Sequence, residues 1–331
     1  MTKFAAAMSD KAKKIIKYVA SVLIAAFFIW LVVRKIDWKS FAEGLVHTSW
    51  GYMVLFVVVS ILALVFRAVR WKELLHPLDP GTKAMLTWDA TNVGNLANIA
   101  LPGAGELLRC GFVTTKSATY DKVLGTVMME RIWDVLAILI LLATALILKW
   151  EAFGPFFMEN IFSPASGRLG LWWIILLALA LVAALVWAVF HWSGKVKLFG
   201  KVADAIKGVF QGLGTFFKMK HKMRFALYTA GVWVMYVLMS YFGLKAIPEL
   251  SHLGMIDALF ISAIGNLASV IPVPSGMGPY HYLVMITLGG LYGCSNELGL
   301  LYAVLCHETH AIIIVILGVI SYVHLNVRKK N

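Results

Sequence analysis

The chain has 331 residues, 60% of them hydrophobic and only 14% charged, with a mean hydropathy of +0.81. A soluble domain is nearer half apolar and a quarter charged, so a soluble enzyme, a disordered chain and a secreted disulfide scaffold are excluded. The 30 Lys and Arg against 17 Asp and Glu give a net +13, which fits cytoplasmic loops on anionic headgroups rather than nucleic-acid binding.

Lys11, Lys13 and Lys14 precede a first apolar run, residues 15–33, that has no small-residue cleavage site and closes on Arg34 and Lys35. It reads as an uncleaved span. Five further runs reach the length of about 20 residues that a bilayer needs. They are residues 50–66, 123–148, 171–190, 225–244 and 300–323.

The N-terminal segment, Arg67-Ala68-Val69-Arg70-Trp71-Lys72, the link 191–224 and Arg328-Lys329-Lys330 are basic and are assigned to the cytoplasm, as are both termini. The link 149–170 carries little positive charge and is flanked by Trp150, Trp172 and Trp173, so it is assigned to the outside. The basic residues after Arg34 then fall outside as well, against the same bias. Within the long cytoplasmic link, Val202, Ile206, Val209, Phe210, Leu213 and Phe217 recur at helical spacing. They predict an amphipathic helix on the headgroups, or else a connector packed on the protein.

Two segments, 87–116 and 255–293, are apolar but interrupted by Pro and Gly. They share a repeat: Gly94-Asn95-Leu96-Ala97 recurs as Gly265-Asn266-Leu267-Ala268, each followed by Pro at nearly the same distance, Pro102 and Pro272. By charge the first enters from the cytoplasm and the second from outside, which predicts an inverted pair of re-entrant elements. Such broken pairs point to a transporter site. Irregular backbone at membrane depth is tolerated only inside protein or beside water.

Charged groups inside a membrane cost about 2.5–3.5 kcal/mol each and default to functional hypotheses. Glu106 and Arg109 follow the first break, three residues apart, while Glu130, Arg131 and Asp134 form an acid–base–acid cluster in the third span. A buried ion network that merely locks helices is the alternative. His281 follows the second break, and His307, Glu308 and His310 make a polar island in the last span. The second His of an H-E-x-x-H site would have to be residue 311, which is Ala, so no zinc site is expected there. Cys110, Cys294 and Cys306 lie far apart, and no nucleotide-binding P-loop or other cofactor motif occurs.

Taken in order, these residues resemble the family of the transmembrane region of lysylphosphatidylglycerol synthases, the flippase-like membrane proteins. The match is carried by Arg67-Ala-Val-Arg70-Trp71, Asn98…Pro102-Gly103…Gly105-Glu106…Arg109, Glu130-Arg131…Asp134 and Pro272…Pro274-Ser275-Gly276-Met277-Gly278. The family often has Glu at His281 and Arg at His307. The resemblance implies an all-α polytopic membrane protein of six to eight transmembrane helices, with two broken re-entrant elements in a pseudo-inverted repeat. One transmembrane domain, 1–331, is expected, with a first half 34–149, the link 192–224 and a second half 225–323. The chain ends soon after its last span, so lysyl transfer is not expected.

The expected activity is that of a non-enzymatic lipid flippase of the cell membrane. Its substrate would be an anionic phospholipid or a polyprenyl-phosphate-linked lipid. Arg109 and Arg131 would meet the phosphate, with Glu106, Glu130 and Asp134 holding them. Asn98, Pro102, Pro274, Gly276, Gly278, His281, His307 and His310 complete the candidate site. The alternative is a non-transporting accessory that binds lipid-linked intermediates and recruits a membrane-bound or cytoplasmic glycosyltransferase or other lipid-modifying enzyme.

Overall fold

The computed structural model describes residues 37–159, 197–268, 271 and 273–328, and all regular structure among them is helical. The expected spans 15–33 and 171–190, the flanking Trp172 and Trp173, the C-terminal Lys329 and Lys330, and Pro272 lie outside the described residues. In chain order the helices are α1 (Trp38–Val46), α2 (Trp50–Leu75), α3 (Ala84–Ala100), α4 (Ala104–Val113), α5 (Tyr120–Leu148) and α6 (Trp150–Phe157). From residue 197 on come α7 (Lys197–Leu213), the single turn α8 (Thr215–Lys218), α9 (Lys222–Ala246), α10 (Met255–Leu267), α11 (Pro279–Tyr292) and α12 (Asn296–Arg328).

Four of these, α2, α5, α9 and α12, are long and apolar enough to cross a membrane. Their lipid-side faces stay apolar and exposed, as with Val54, Val58, Ile140 and Ile316, while the opposite faces pack inward. One sequence expectation is corrected here. The stretch Arg67–Lys72 is not a loop: α2 continues through it to Leu75. Arg70 and Trp71 are fully buried, with Leu74 and Leu75 extending the inward stripe. The helix continues because Arg70 finds carboxylate partners on α5, which offsets the cost of placing a guanidinium there.

Both Pro/Gly-interrupted segments fold back on themselves. The first turns at Leu101–Gly103: Pro102 has no N–H to continue the ladder and Gly103 takes φ 77. The two arms then approach through glycine, since a methyl on Gly105 would run into the carbonyl of Gly94. Asn98 Oδ1 accepts the Gly105 N–H at 2.8 Å and fixes the turn. The second segment descends as α10, turns through Pro274–Gly276 and returns as α11. There Gly265 lies against the Tyr280 ring and Val284 of the returning arm. The glycines of the Gly-Asn-Leu-Ala repeat thus sit at the crossing of both hairpins.

The link helix forms at Lys197–Leu213 and packs on the protein. Gly208 and Gly212 bring it against Asp121, Lys122 and Gly125 at the start of α5, the close small-residue approach of membrane helix pairs. Phe216 continues this contact, its ring 5.0 Å from Trp133 and 5.6 Å from Phe225. At the other end of α5, Asp257 takes hydrogen bonds from Lys149 Nζ (2.7 Å), Tyr292 Oη (2.8 Å) and the Gly254 N–H (2.9 Å), joining α5, α10 and α11.

Candidate functional site

The two turns converge on one cavity of about 660 Å³. The first contributes Asn98, Pro102, Gly103 and Glu106, and the second Ile271, Val273, Ser275 and Gly276. Helices α5 and α12 supply Arg131, Asp134, His307 and His310, while Phe56, Val135, Ile138 and Met239 make an apolar wall. Asp134 is the midpoint of α5, so the polar part of the cavity lies at helix mid-height rather than at an end. The returning arms α4 and α11 both begin here, and each turns the positive end of its dipole toward the space.

Under the first turn the charges form a chain of alternating sign. Arg109 Nη2 donates to Glu130 Oε2 at 2.8 Å, and Arg70 Nη2 donates to Glu130 Oε1 at 2.8 Å. Arg70 Nη1 donates to Asp134 Oδ1 at 2.7 Å. Arg131 stands 3.8 Å from the other Asp134 oxygen and donates to Glu106 Oε1 at 2.5 Å. Arg109 lies over the Trp71 ring at 4.5 Å, and Trp71 Nε1 donates to Thr126 Oγ1 at 3.0 Å. Helices α2, α4 and α5 are therefore tied by a chain of charges that is buried at Arg70, Arg109 and Glu130 and opens to the cavity at Arg131.

The members differ in access. Arg70, Arg109 and Glu130 are buried behind the cavity wall, whereas the Arg131 side chain is 45% exposed and lines the cavity. Arg67, one turn before Arg70, lies within electrostatic reach of Glu130, Asp134 and Arg70. Four arginines against Glu106, Glu130 and Asp134 leave one positive charge in excess.

Around the second turn the polar groups are of another kind. His307 Nε2 donates to the Ser275 carbonyl at 3.0 Å and its Nδ1 lies 2.9 Å from Glu308 Oε1. His281 Nε2 is 3.5 Å from the same carboxylate oxygen, and Gly278 N–H points to its Nδ1 at 3.4 Å. His310 Nδ1 and the Ser60 hydroxyl of α2 share a 2.6 Å hydrogen bond. Ser275 sits at φ 55, the left-handed region that a non-glycine residue occupies only when its surroundings hold it there.

Of the residues singled out in the sequence, Asn98, Pro102, Glu106, Arg131, Asp134, Gly276, His307 and His310 line the cavity. Arg109, Glu130, Pro274, Gly278 and His281 stand immediately behind them. Sequence reading placed Arg70 outside the site although it joins two of the carboxylates. The signal was present: Arg67 and Arg70 are one turn apart, and Trp71, Leu74 and Leu75 continue the inward periodicity past the hydropathy minimum. Tyr236 of α9, which also lines the cavity, is reached only from the three-dimensional arrangement.

A family model described as the lysylphosphatidylglycerol synthase TM region matches residues 18–318. No curated protein and no solved structure matches the chain.

Proposed function

Because the chain belongs to the family of the lysylphosphatidylglycerol synthase transmembrane region, we propose that it moves an anionic lipid, a phospholipid or a polyprenyl-phosphate-linked lipid, between leaflets without chemical change. The observation that carries this reading is the cavity at the meeting of both broken hairpins, with a half-exposed guanidinium, Arg131, on its polar side. Its volume falls in the range of ligand sites, and its apolar wall suits the first methylenes of acyl or prenyl chains. The single excess positive charge and two converging helix starts favour a phosphate.

In this reading Arg131 exchanges Glu106 and Asp134 for the phosphate, since exposed ion pairs are weak and easily traded. In the same reading Arg109, buried behind the wall, serves with Glu130 and Arg70 to hold α4 and α2 against α5. The two hairpins act as an inverted pair, opening the cavity to one leaflet and then to the other. The termini lie in the cytoplasm of a cell in whose plasma membrane the protein sits, and a gradient or partner supplies any driving force.

The test is translocation of a labelled anionic phospholipid in proteoliposomes. Arg131→Ala should reduce it at least about tenfold, the loss of one charge-assisted phosphate contact, while the protein still folds. Unchanged translocation in a folded Arg131→Ala protein overturns the reading. A second reading, an accessory that recruits a lipid-modifying enzyme, is favoured by one observation: Phe210 and Phe217 of the link remain exposed. Replacing both with Ser then abolishes partner association and leaves lipid movement untouched.

A further inference from the structure

The polar cluster behind the second turn has a feature that the lipid reading does not use. The Ser275 carbonyl can only accept, so the proton of His307 sits on Nε2. Nδ1 then offers its lone pair 2.9 Å from a Glu308 oxygen, which is also an acceptor. Two acceptors facing each other at that distance are satisfied only by a proton or a metal ion between them. His281 brings a third donor atom, Nε2, to 3.5 Å from the same oxygen, and all three ligand atoms lie within 4.8 Å of one another.

We propose that His281 Nε2, His307 Nδ1 and the Glu308 carboxylate bind a divalent transition metal ion, zinc by their chemistry, with a fourth position open toward the cavity. Zinc bonds of about 2.0–2.2 Å place tetrahedral ligand atoms about 3.3–3.6 Å apart; the His281–Glu308 separation of 3.5 Å falls there, and the His307–Glu308 pair at 2.9 Å would open by a few tenths of an ångström. Two imidazoles and one carboxylate suit zinc rather than calcium or magnesium, which take oxygen ligands. The second layer is also built: a metal-bound imidazole regularly donates its other N–H to a backbone carbonyl, as His307 does to Ser275. Ser275 presents that carbonyl from a left-handed conformation. The contact given up is a weak one, the 3.4 Å approach of Gly278 N–H to His281 Nδ1, which must carry the proton when Nε2 binds metal.

Glu308 is 39% exposed at its side chain, leaving an approach for the ion, while the Tyr280 ring closes the apolar side 5.3 Å from His307. The arrangement differs from the one-helix H-E-x-x-H pattern because the third ligand comes from α11, across the second turn. A metal here would offer a phosphate a second cationic contact opposite Arg131. That consequence rests on the lipid reading; metal binding does not.

The experiment uses the full chain in detergent, stripped with a chelator and titrated with Zn²⁺ by calorimetry, with Co²⁺ as an absorption probe of tetrahedral geometry. One saturable ion per chain is expected. Glu308→Gln, close to isosteric, and His307→Ala should each weaken it at least about tenfold, and His252→Ala, an exposed histidine elsewhere, should not. No saturable site in the folded protein, or a site indifferent to Glu308→Gln and His307→Ala, overturns the proposal. Arg131→Ala should keep the metal whatever it does to lipid movement, so the failure of one reading is told apart from that of the other.

Discussion

Around the first turn six charged side chains are joined by ion pairs across three helices, in a chain from Arg109 through Glu130, Arg70, Asp134 and Arg131 to Glu106. Around the second turn the same position in the hairpin is met by imidazoles and one half-exposed carboxylate. The first arrangement holds charge permanently and therefore has to be assembled for the helices to dock. The second is made of imidazoles and one carboxylate, and on the proposal above its charge changes when a metal ion binds. One wall of the cavity is thus a fixed scaffold and the other an adjustable one.

The largest consequence is in stability. Removing Arg70 leaves Glu130, fully buried, and Asp134, mostly buried, without their shared partner. Breaking a buried pair from one side costs about 3–5 kcal/mol. Arg70→Ala should therefore lower the denaturant midpoint in detergent sharply or prevent recovery of folded protein. Glu308→Gln, at the half-exposed carboxylate of the other wall, should cost less than about 1 kcal/mol. Equal losses in the two variants would remove the distinction between the walls.

Much of this was legible before any coordinates, and the part that was not has a physical reason. The breaks announced themselves because Pro102, Gly103, Pro274 and Gly276 interrupt apolar runs, and both do fold back there. The carboxylates and Arg131 stood out because charge is expensive in a span. Arg70 did not stand out, because a hydropathy window ends a span at the first pair of arginines and takes no account of partners sixty residues on. His281 and Glu308 lie on different helices, so no one-helix spacing rule joins them. The link helix was found by its periodicity, but that periodicity shows only which face is apolar. Its seat on α5 is decided by Gly208 and Gly212, residues that carry no hydropathy signal.

The hairpin crossings give the next effect in size. A methyl at Gly105 would meet the carbonyl of Gly94 and the side chain of Asn98, neither free to retreat because Asn98 already fixes the turn. Gly105→Ala should cost about 3 kcal/mol, the upper range of overpacking. At Gly265 the obstacle is the edge of the Tyr280 ring, a side chain that can rotate, and Gly265→Ala should cost about 1 kcal/mol. Denaturation of the two variants side by side checks whether the fixed wall is also the tightly packed one.

The smallest effect lies in the turns themselves, and its sign is opposite in the two. Gly103 holds φ 77 with open space where a side chain would go, so Gly103→Ala costs only the left-handed penalty, about 1 kcal/mol after the gain in backbone entropy. Ser275 already bears that penalty at φ 55. Its carbonyl, the atom that accepts from His307, belongs to the backbone and survives replacement. Ser275→Gly therefore relieves about 1–2 kcal/mol of strain and adds about 0.5–1 kcal/mol of entropy to be lost on folding. The net expectation is a gain of about 0.5 kcal/mol, read as a small upward shift of the denaturation midpoint. A loss in Ser275→Gly would mean that the serine hydroxyl, and not only its carbonyl, holds the second turn, and the adjustable wall would then be as tightly specified as the first.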